Sequence, residues 1–176
     1  MRFETPKIIR RKCFYDKRGY LQEIYLKKKE KKIFKFSLIT NSKKHVFRGF
    51  HFQLKNQQVK LVYLVKGNIL DLTIDLRKKS KNFGKIYKFK LKEKDILYIP
   101  KGFAHGYLSL ASENIVLYYM TNYRNRKNES GIVWNDKMLK IKFPTKKIVL
   151  SNKDKKLPGF KAVSYTHLTL PTTPYV

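Results

Sequence analysis

Cysteine is nearly absent. Cys13 is the only one in 176 residues, so no internal disulfide can form and a reducing, cytoplasmic setting is expected. Cys13 itself reads as an ordinary strand residue. Acidic side chains are also scarce: 12 Asp and Glu stand against 41 Lys and Arg, a formal net charge of +29. Such a balance raises nucleic acid or a membrane surface as partner. The excess is mostly lysine, however, scattered from Lys27–Lys32 to Lys146 and Lys147. No stretch has the form of a recognition helix or a single-strand stacking motif. Neither nucleic acid nor membrane is therefore expected as partner, and the cations are read as solvated faces that help steer an anionic small substrate. No apolar run reaches membrane-spanning length, and the first residues lack the apolar core of a secretory leader. A long amphipathic helix, an internal repeat and a second domain are all missing from the pattern.

What is present is apolar and aromatic: 42% hydrophobic residues and 14% aromatics, enough for one substantial core. Short extended runs recur between Gly, Asn and Lys turns. Asp16-Lys17-Arg18-Gly19 reads as a turn, Tyr20 to Leu26 as a strand containing Glu23, Lys27 to Lys32 as a charged connection with one short helical turn, and Asn41 to Lys44 as another turn. Ile69 to Leu76 alternates cleanly, with Ile69, Asp71, Thr73 and Asp75 on one face and Leu70, Leu72, Ile74 and Leu76 on the other. Many short strands at this spacing predict an all-β sandwich or barrel with short helical turns.

The run Arg48-Gly49-Phe50-His51-Phe52-Gln53 stands out, with a cation, a glycine and a histidine set among strand-forming aromatics. Period-2 geometry puts Arg48 and His51 on opposite faces; a bulge at Gly49 would bring them together. Downstream, Pro100-Lys101-Gly102-Phe103-Ala104-His105 has the P-x-G-x-x-H pattern of the second cupin motif. Metal-binding cupins usually carry H-x-H in the first motif, where this chain reads His51-Phe52-Gln53. His51 and His105 alone make a poor transition-metal set, so no metal is expected. His45, near a turn, is not expected to be a ligand.

In chain order the sequence then resembles the dTDP-4-dehydrorhamnose 3,5-epimerase family. The resemblance is carried by Asp16-Lys17-Arg18-Gly19 with Glu23, Arg48 to Gln53, Gln58 to Val62, Asp75-Leu76-Arg77 with Ser80 and Phe83-Gly84, Ile99 to Gly106, Thr121-Asn122-Tyr123, Glu129-Ser130-Gly131, Trp134-Asn135-Asp136 and Leu150 to Asp154. It implies a cupin-type jelly roll without cofactor, acting as a homodimer on a dTDP-linked 4-keto-6-deoxy sugar. Epimerising a carbon beside a ketone requires a base, a group that steadies the enolate, and an acid on the opposite face. Histidine, with an ordinary pKa of about 6.5, suits proton abstraction near neutral pH. By resemblance His51 is the base and Asp154 the carboxylate that orients it, Lys60 lies by the ketone oxygen, and Tyr118 is the proton donor. Arg18 and Arg48 resemble diphosphate ligands and His105 a substrate contact. Glu23, Glu129 and Lys153 match further contact positions, and Tyr123 is expected to stack on the base.

The chain departs from the family at one place. A Gln-x-Asn segment that contacts the nucleotide is replaced by Phe36-Ser37-Leu38, followed by Ile39-Thr40. A single-site 3- or 5-epimerase and a non-catalytic nucleotide-sugar-binding cupin stand as alternatives; a general nucleic-acid binder would need a contiguous basic face with exposed aromatics. Residues 1–162 are read as the epimerase domain. Residues 163–176 resemble the translated read-through of a sequencing adaptor and are read as a non-native tail, which leaves His167 without a function.

Overall fold

The computed structural model describes residues 4–166, with side chains to Ser164. In chain order the elements are strands β1 (Lys7–Ile9), β2 (Cys13–Asp16) and β3 (Gly19–Gln22), helix α1 (Lys27–Glu30), then β4 (Phe36–Lys43), β5 (Phe47–Gln53), β6 (Lys60–Lys66), β7 (Asn68–Asp75), β8 (Ile86–Lys92), β9 (Ile96–Ile99), β10 (Phe103–Ser109) and β11 (Glu113–Met120). A 3-10 turn at Arg126–Asn128 leads into β12 (Glu129–Gly131), and helices α2 (Asn152–Lys155) and α3 (Phe160–Thr166) close the described chain.

Two five-stranded sheets face each other. One runs in the order β1-β9-β6-β11-β4 and the other β12-β5-β10-β7-β8; β2 and β3 form a separate hairpin. This is the all-β sandwich that the strand spacing predicts, and the cupin-like jelly roll that the family resemblance implies. Between the sheets lies a core of Val62, Leu64, Ile69, Leu97, Ile99, Phe103, Tyr107 and Val116, among others. The outer face of the first sheet is covered by a second cluster around Leu61, Tyr63, Ile96 and Tyr98, against which Ile9, Tyr25 and Phe34 pack. The outer face of the second carries a third cluster, in which Leu70, Leu72, Ile74, Phe50 and Phe52 meet Ile132, Leu139 and Phe160 of the C-terminal segment. Both faces of each sheet are thus at least partly removed from water.

Some sequence expectations shift. The Asn41–Lys44 turn moves on: β4 continues to Lys43, and the chain reverses around His45, which has a positive φ of 68°. Asn41 and Lys43 point outward, and Asn41 Nδ2 donates to Glu113 Oε1 at 3.1 Å on the paired strand β11. Polar side chains on a solvent face do not end a strand that has a partner. β3 stops at Gln22, which leaves Glu23 just beyond it. β7 is buried on both faces, so the row of Ile69, Asp71, Thr73 and Asp75 looks into the space between the sheets. Helix α3 runs across the expected boundary at residue 162, and Val163 is buried in the outer cluster. His167 lies outside the described residues. Among the described residues no helix is long and apolar enough to cross a membrane.

Candidate active site

A cavity of about 480 Å³ opens between the two sheets. Its walls come from both. β5 contributes Arg48 and His51, β10 contributes His105, and Glu129 comes from the start of β12; opposite them stand Leu38 and Thr40 of β4, Lys60 of β6 and Tyr118 of β11. The segment Ser151 to Asp154 closes one side.

The bulge at Gly49 is what puts Arg48 and His51 in this cavity together. Across β10, His51 pairs with His105 and Arg48 with Tyr107, so three steps along β5 match two along β10. The extra residue turns the strand's alternation over. Gly49 has φ of 129°, and a Cβ there would fall 2.5 Å from Gly106 Cα and 2.7 Å from the His105 carbonyl oxygen. Only glycine fits this place.

Asp154 reaches His51 from far along the chain. Val149 forms a parallel bridge with Val46, its N–H donating to the His45 carbonyl and its own carbonyl accepting from Phe47 N–H. That pairing delivers Ser151, whose hydroxyl accepts from the Asp154 backbone N–H and caps α2. Asp154 Oδ1 then lies 2.7 Å from His51 Nε2. Burial works to raise the Asp154 pKa, but the hydrogen bond and charge of His51, with help from Gly49 and Ser151, take it below the ordinary value. Asp154 is therefore an anion at neutral pH, and it holds a proton on Nε2 and leaves the imidazole lone pair on Nδ1.

Beside this pair stands a second one. His105 Nε2 is 2.7 Å from Asp71 Oδ2, both buried. Desolvation lowers the His105 pKa against the pull of Asp71, with Lys60 and His51 adding to the lowering. The His105 and Tyr118 rings meet edge-on at 6.0 Å between centroids. Burial pushes the Tyr118 phenol well above its usual value, so it keeps its proton. Its neighbour Tyr119 faces the other way and packs beside Tyr25 in the outer cluster. Lys60 shares the inward row of β6 with the fully buried Val62 and Leu64. Desolvation draws its ammonium down to about 8, against the opposing charges of Asp71 and Glu129.

At the cavity mouth Glu129 accepts from Arg124 at 3.1 and 2.9 Å and pairs with Lys153. Burial alone would raise its pKa; the two cations take it to about 2. Gln53, in the second place of the first cupin motif, is occupied with backbone: its Nε2 donates to the carbonyls of Asn56 and Tyr123, and its Oε1 accepts from Asn125 N–H. Among the described residues no group of three or more His, Cys, Asp or Glu could hold a metal ion.

Of the residues singled out in the sequence, His51, Tyr118, Asp154, Lys60, Arg48, His105, Glu129 and Lys153 line this one cavity. Three do not. Arg18, at the tip of the β2–β3 hairpin, is 85% exposed and forked onto Asp16. Glu23 follows that hairpin and is not part of the wall. Tyr123 is 67% exposed and stands outside the wall, its ring 6.2 Å from that of Phe36. Sequence reasoning passed over Asp71, Thr40, Tyr107 and Arg124. For Asp71 a signal existed: three polar residues on one face of an otherwise aliphatic strand.

Comparison with known proteins agrees with this geometry. A family model described as dTDP-4-dehydrorhamnose 3,5-epimerase matches residues 2–162. The dTDP-4-dehydrorhamnose 3,5-epimerase of Shigella flexneri is 37% identical over 156 residues, 81% of this chain and 84% of that one. That of Salmonella typhimurium is 37% identical over 161 residues, 86% and 88% of the two chains. Among solved structures, the Legionella pneumophila dTDP-6-deoxy-D-glucose-3,5-epimerase in complex with dTDP-4-keto-L-rhamnose superposes with a TM-score of 0.89 at 29% identity, covering 99% of this chain and 97% of that one. The Bacillus anthracis dTDP-4-dehydrorhamnose 3,5-epimerase with TDP and PPi bound gives 0.84 at 35% identity, covering 88% and 93%.

Proposed function

Because the chain belongs to the dTDP-4-dehydrorhamnose 3,5-epimerase family, we propose that the cavity between its sheets is where the 4-keto sugar is inverted. The protein is an epimerase that converts dTDP-4-dehydro-6-deoxy-D-glucose to dTDP-4-dehydro-β-L-rhamnose. The observation that carries the site assignment is that an imidazole–carboxylate pair and a protonated phenol come from opposite sheets and line one cavity.

In this assignment His51 takes the proton from the carbon beside the ketone. Asp154 steadies the imidazolium as it forms. The electrons move onto the ketone oxygen, and Lys60 stabilises the enolate charge, as a cation in a desolvated wall does most strongly. Tyr118 returns a proton from the other face, and the carbon inverts. The carbons on both sides of the ketone conjugate with the same oxygen, so one cation serves both. His105, neutral and held by Asp71 through Nε2, is left with its Nδ1 lone pair as an acceptor for a sugar hydroxyl. Arg48 and Lys153 answer the diphosphate, and the arginine fork suits that role. Apolar Phe36 and Leu38 replace amides on the nucleotide side, so recognition of the base there rests on packing and on Tyr123.

Arg18 and Glu23 are assigned to the site of a second copy, in a homodimer. The hairpin that carries Arg18 exposes Phe14, Tyr15, Tyr20 and Leu21, an apolar surface of the kind that marks an interface. Light scattering should return twice the chain mass; a monomer would remove Arg18 and Glu23 from the assignment. The single cysteine fits a reducing, cytoplasmic setting. Residues 1–162 are taken as the epimerase domain and 163–176 as a non-native tail, and resequencing the gene tests that division.

Incubation with dTDP-4-dehydro-6-deoxy-D-glucose in deuterated water is the direct test. Deuterium is expected at both carbons 3 and 5. Label at carbon 3 alone would make this a single-site epimerase. No label from folded protein would remove epimerisation altogether and leave a nucleotide-sugar-binding cupin.

A further inference from the structure

One wall of the cavity carries a row of hydroxyl groups that the proposed chemistry does not yet use. Arg48 Nε donates to Ser42 Oγ at 2.9 Å. Ser42 Oγ lies 3.0 Å from the Tyr107 hydroxyl, and that hydroxyl lies 2.9 Å from Thr40 Oγ1. Thr40 and Tyr118 face the same cavity from paired strands. Thr40 sits opposite Val116 and Tyr118 opposite Leu38, which makes the two side chains diagonal neighbours on one face. The Thr40 hydroxyl in turn acts on the Tyr118 phenol and favours its ionised form. Tyr107 is 1% exposed and Ser42 3%.

The direction of this row follows from counting donors. Arginine can only donate, so Ser42 Oγ accepts at that end. The remaining partner of the Ser42 hydroxyl is Tyr107, and a buried O–H left without an acceptor is costly. Ser42 therefore donates to Tyr107. Tyr107 has one proton and donates it to Thr40. Thr40 thus keeps its own proton to offer, and its diagonal neighbour on the same cavity face is Tyr118. A Thr40 proton turned to the Tyr118 oxygen leaves the phenol's own proton to be directed into the cavity. Running the row the other way would strand the Ser42 proton in the interior.

We propose that Ser42, Tyr107 and Thr40 are positioning residues for Tyr118, a hydroxyl relay anchored on Arg48 that aims the phenol proton at the sugar and solvates the phenolate left behind. The proposal rests on Tyr118 being the acid. As Tyr118 gives up its proton, the donor already at its oxygen stabilises the charge without reorganisation. Arg48, at the far end, polarises every link in the same sense.

Tyr107→Phe removes one buried oxygen and keeps the ring. Thr40→Val removes the next link at constant shape, and Thr40→Ser keeps the hydroxyl. For Tyr107→Phe and Thr40→Val we expect kcat to fall by about tenfold or more, a part of the ~10²–10⁴ that a general acid contributes, with KM little changed. In deuterated water, deprotonation by His51 continues while return from the Tyr118 face slows. Deuterium in recovered, uninverted substrate should therefore rise relative to product. Thr40→Ser should restore both readouts. A kcat and a substrate-to-product label ratio equal to the parent in Tyr107→Phe and Thr40→Val would overturn the relay. So would activity lost only in step with melting temperature at an unchanged label ratio. Tyr118→Phe separates the two levels: retained inversion there would refute the acid assignment itself, whereas lost inversion there with normal Tyr107→Phe and Thr40→Val would refute the relay alone.

Discussion

Replacing Asp154 by asparagine tests the base most sharply. The side chain is 5% exposed and its volume is kept, so packing around α2 should survive. What is lost is a charge 2.7 Å from His51 Nε2. A hydrogen bond to a charged partner contributes about 1.5–3 kcal/mol net. The imidazolium exists only after proton abstraction, so this loss falls on the transition state and not on bound substrate. At about 1.36 kcal/mol per factor of ten, kcat should fall roughly 10- to 160-fold with KM close to the parent. The neutral amide also no longer requires a proton on Nε2, and a fraction of imidazole in the wrong tautomer would add to the loss. The assay is NMR of dTDP-4-dehydro-6-deoxy-D-glucose in deuterated water, following label at carbons 3 and 5, with a thermal melt of the same sample. Because the defect lies in the first step, exchange into recovered substrate should drop together with product. An Asp154→Asn protein that turns over within twofold of the parent, or that exchanges normally while failing only to invert, would refute the assignment of His51 and Asp154 as the base.

Other outcomes follow from the same geometry. Lys60, drawn from its ordinary 10.5 to about 8 by burial, should lose its charge as pH rises through 8, so kcat/KM should fall on that limb. Between 8 and 10.5 the unfolded chain binds the extra proton, so stability should rise with pH over the same window; Lys60→Met should abolish that rise, and denaturant titrations at pH 7.5 and 10 would read it. Glu129, held at about 2 by Arg124 and Lys153, stabilises the fold above its ordinary value of 4.5, and this contribution should be lost as pH falls from 4.5 towards 2. Acid unfolding of Glu129→Gln should be correspondingly less steep there, and an unchanged slope would mean the pair is inert. Gly49→Ala places a Cβ 2.5 Å from Gly106 Cα at a positive φ; a loss of at least ~3 kcal/mol is expected, a melting point lower by roughly 6–12 °C, and a parent-like melt would show that the bulge can relax.

Much of this was legible before any coordinates. His51, His105 and Lys60 sit in motifs whose spacing places them on strands, and period-2 alternation showed that Arg48 and His51 could share a face only through an irregularity such as a bulge at Gly49. Glycine was the only residue in that run able to take the positive φ. Asp71 was half-visible, as a carboxylate on a strand that later proved buried on both faces. Its role was hidden because alternation reports that a face is polar, not whether that face looks at water or at a histidine across the sheet. Arg124 gave no signal among so many cations. Arg18, Glu23 and Tyr123 were matched by motif, yet they lie outside the cavity wall of their own chain, since a motif carries identity and not the direction in which a hairpin projects.

The strand-rich class, the two cupin-like segments and the set of groups able to move a proton were written in the sequence, because strand alternation, turn chemistry and side-chain type are local properties. Only the tertiary structure decided which groups meet. Asp154 reaches His51 across 103 positions through the pairing of Val149 with Val46. Tyr118, not Tyr119, looks inward because β11 is clamped in one register between β4 and β6. The hydroxyls of Ser42, Tyr107 and Thr40 gain a direction only because folding sets an arginine, which cannot accept, at one end of their row.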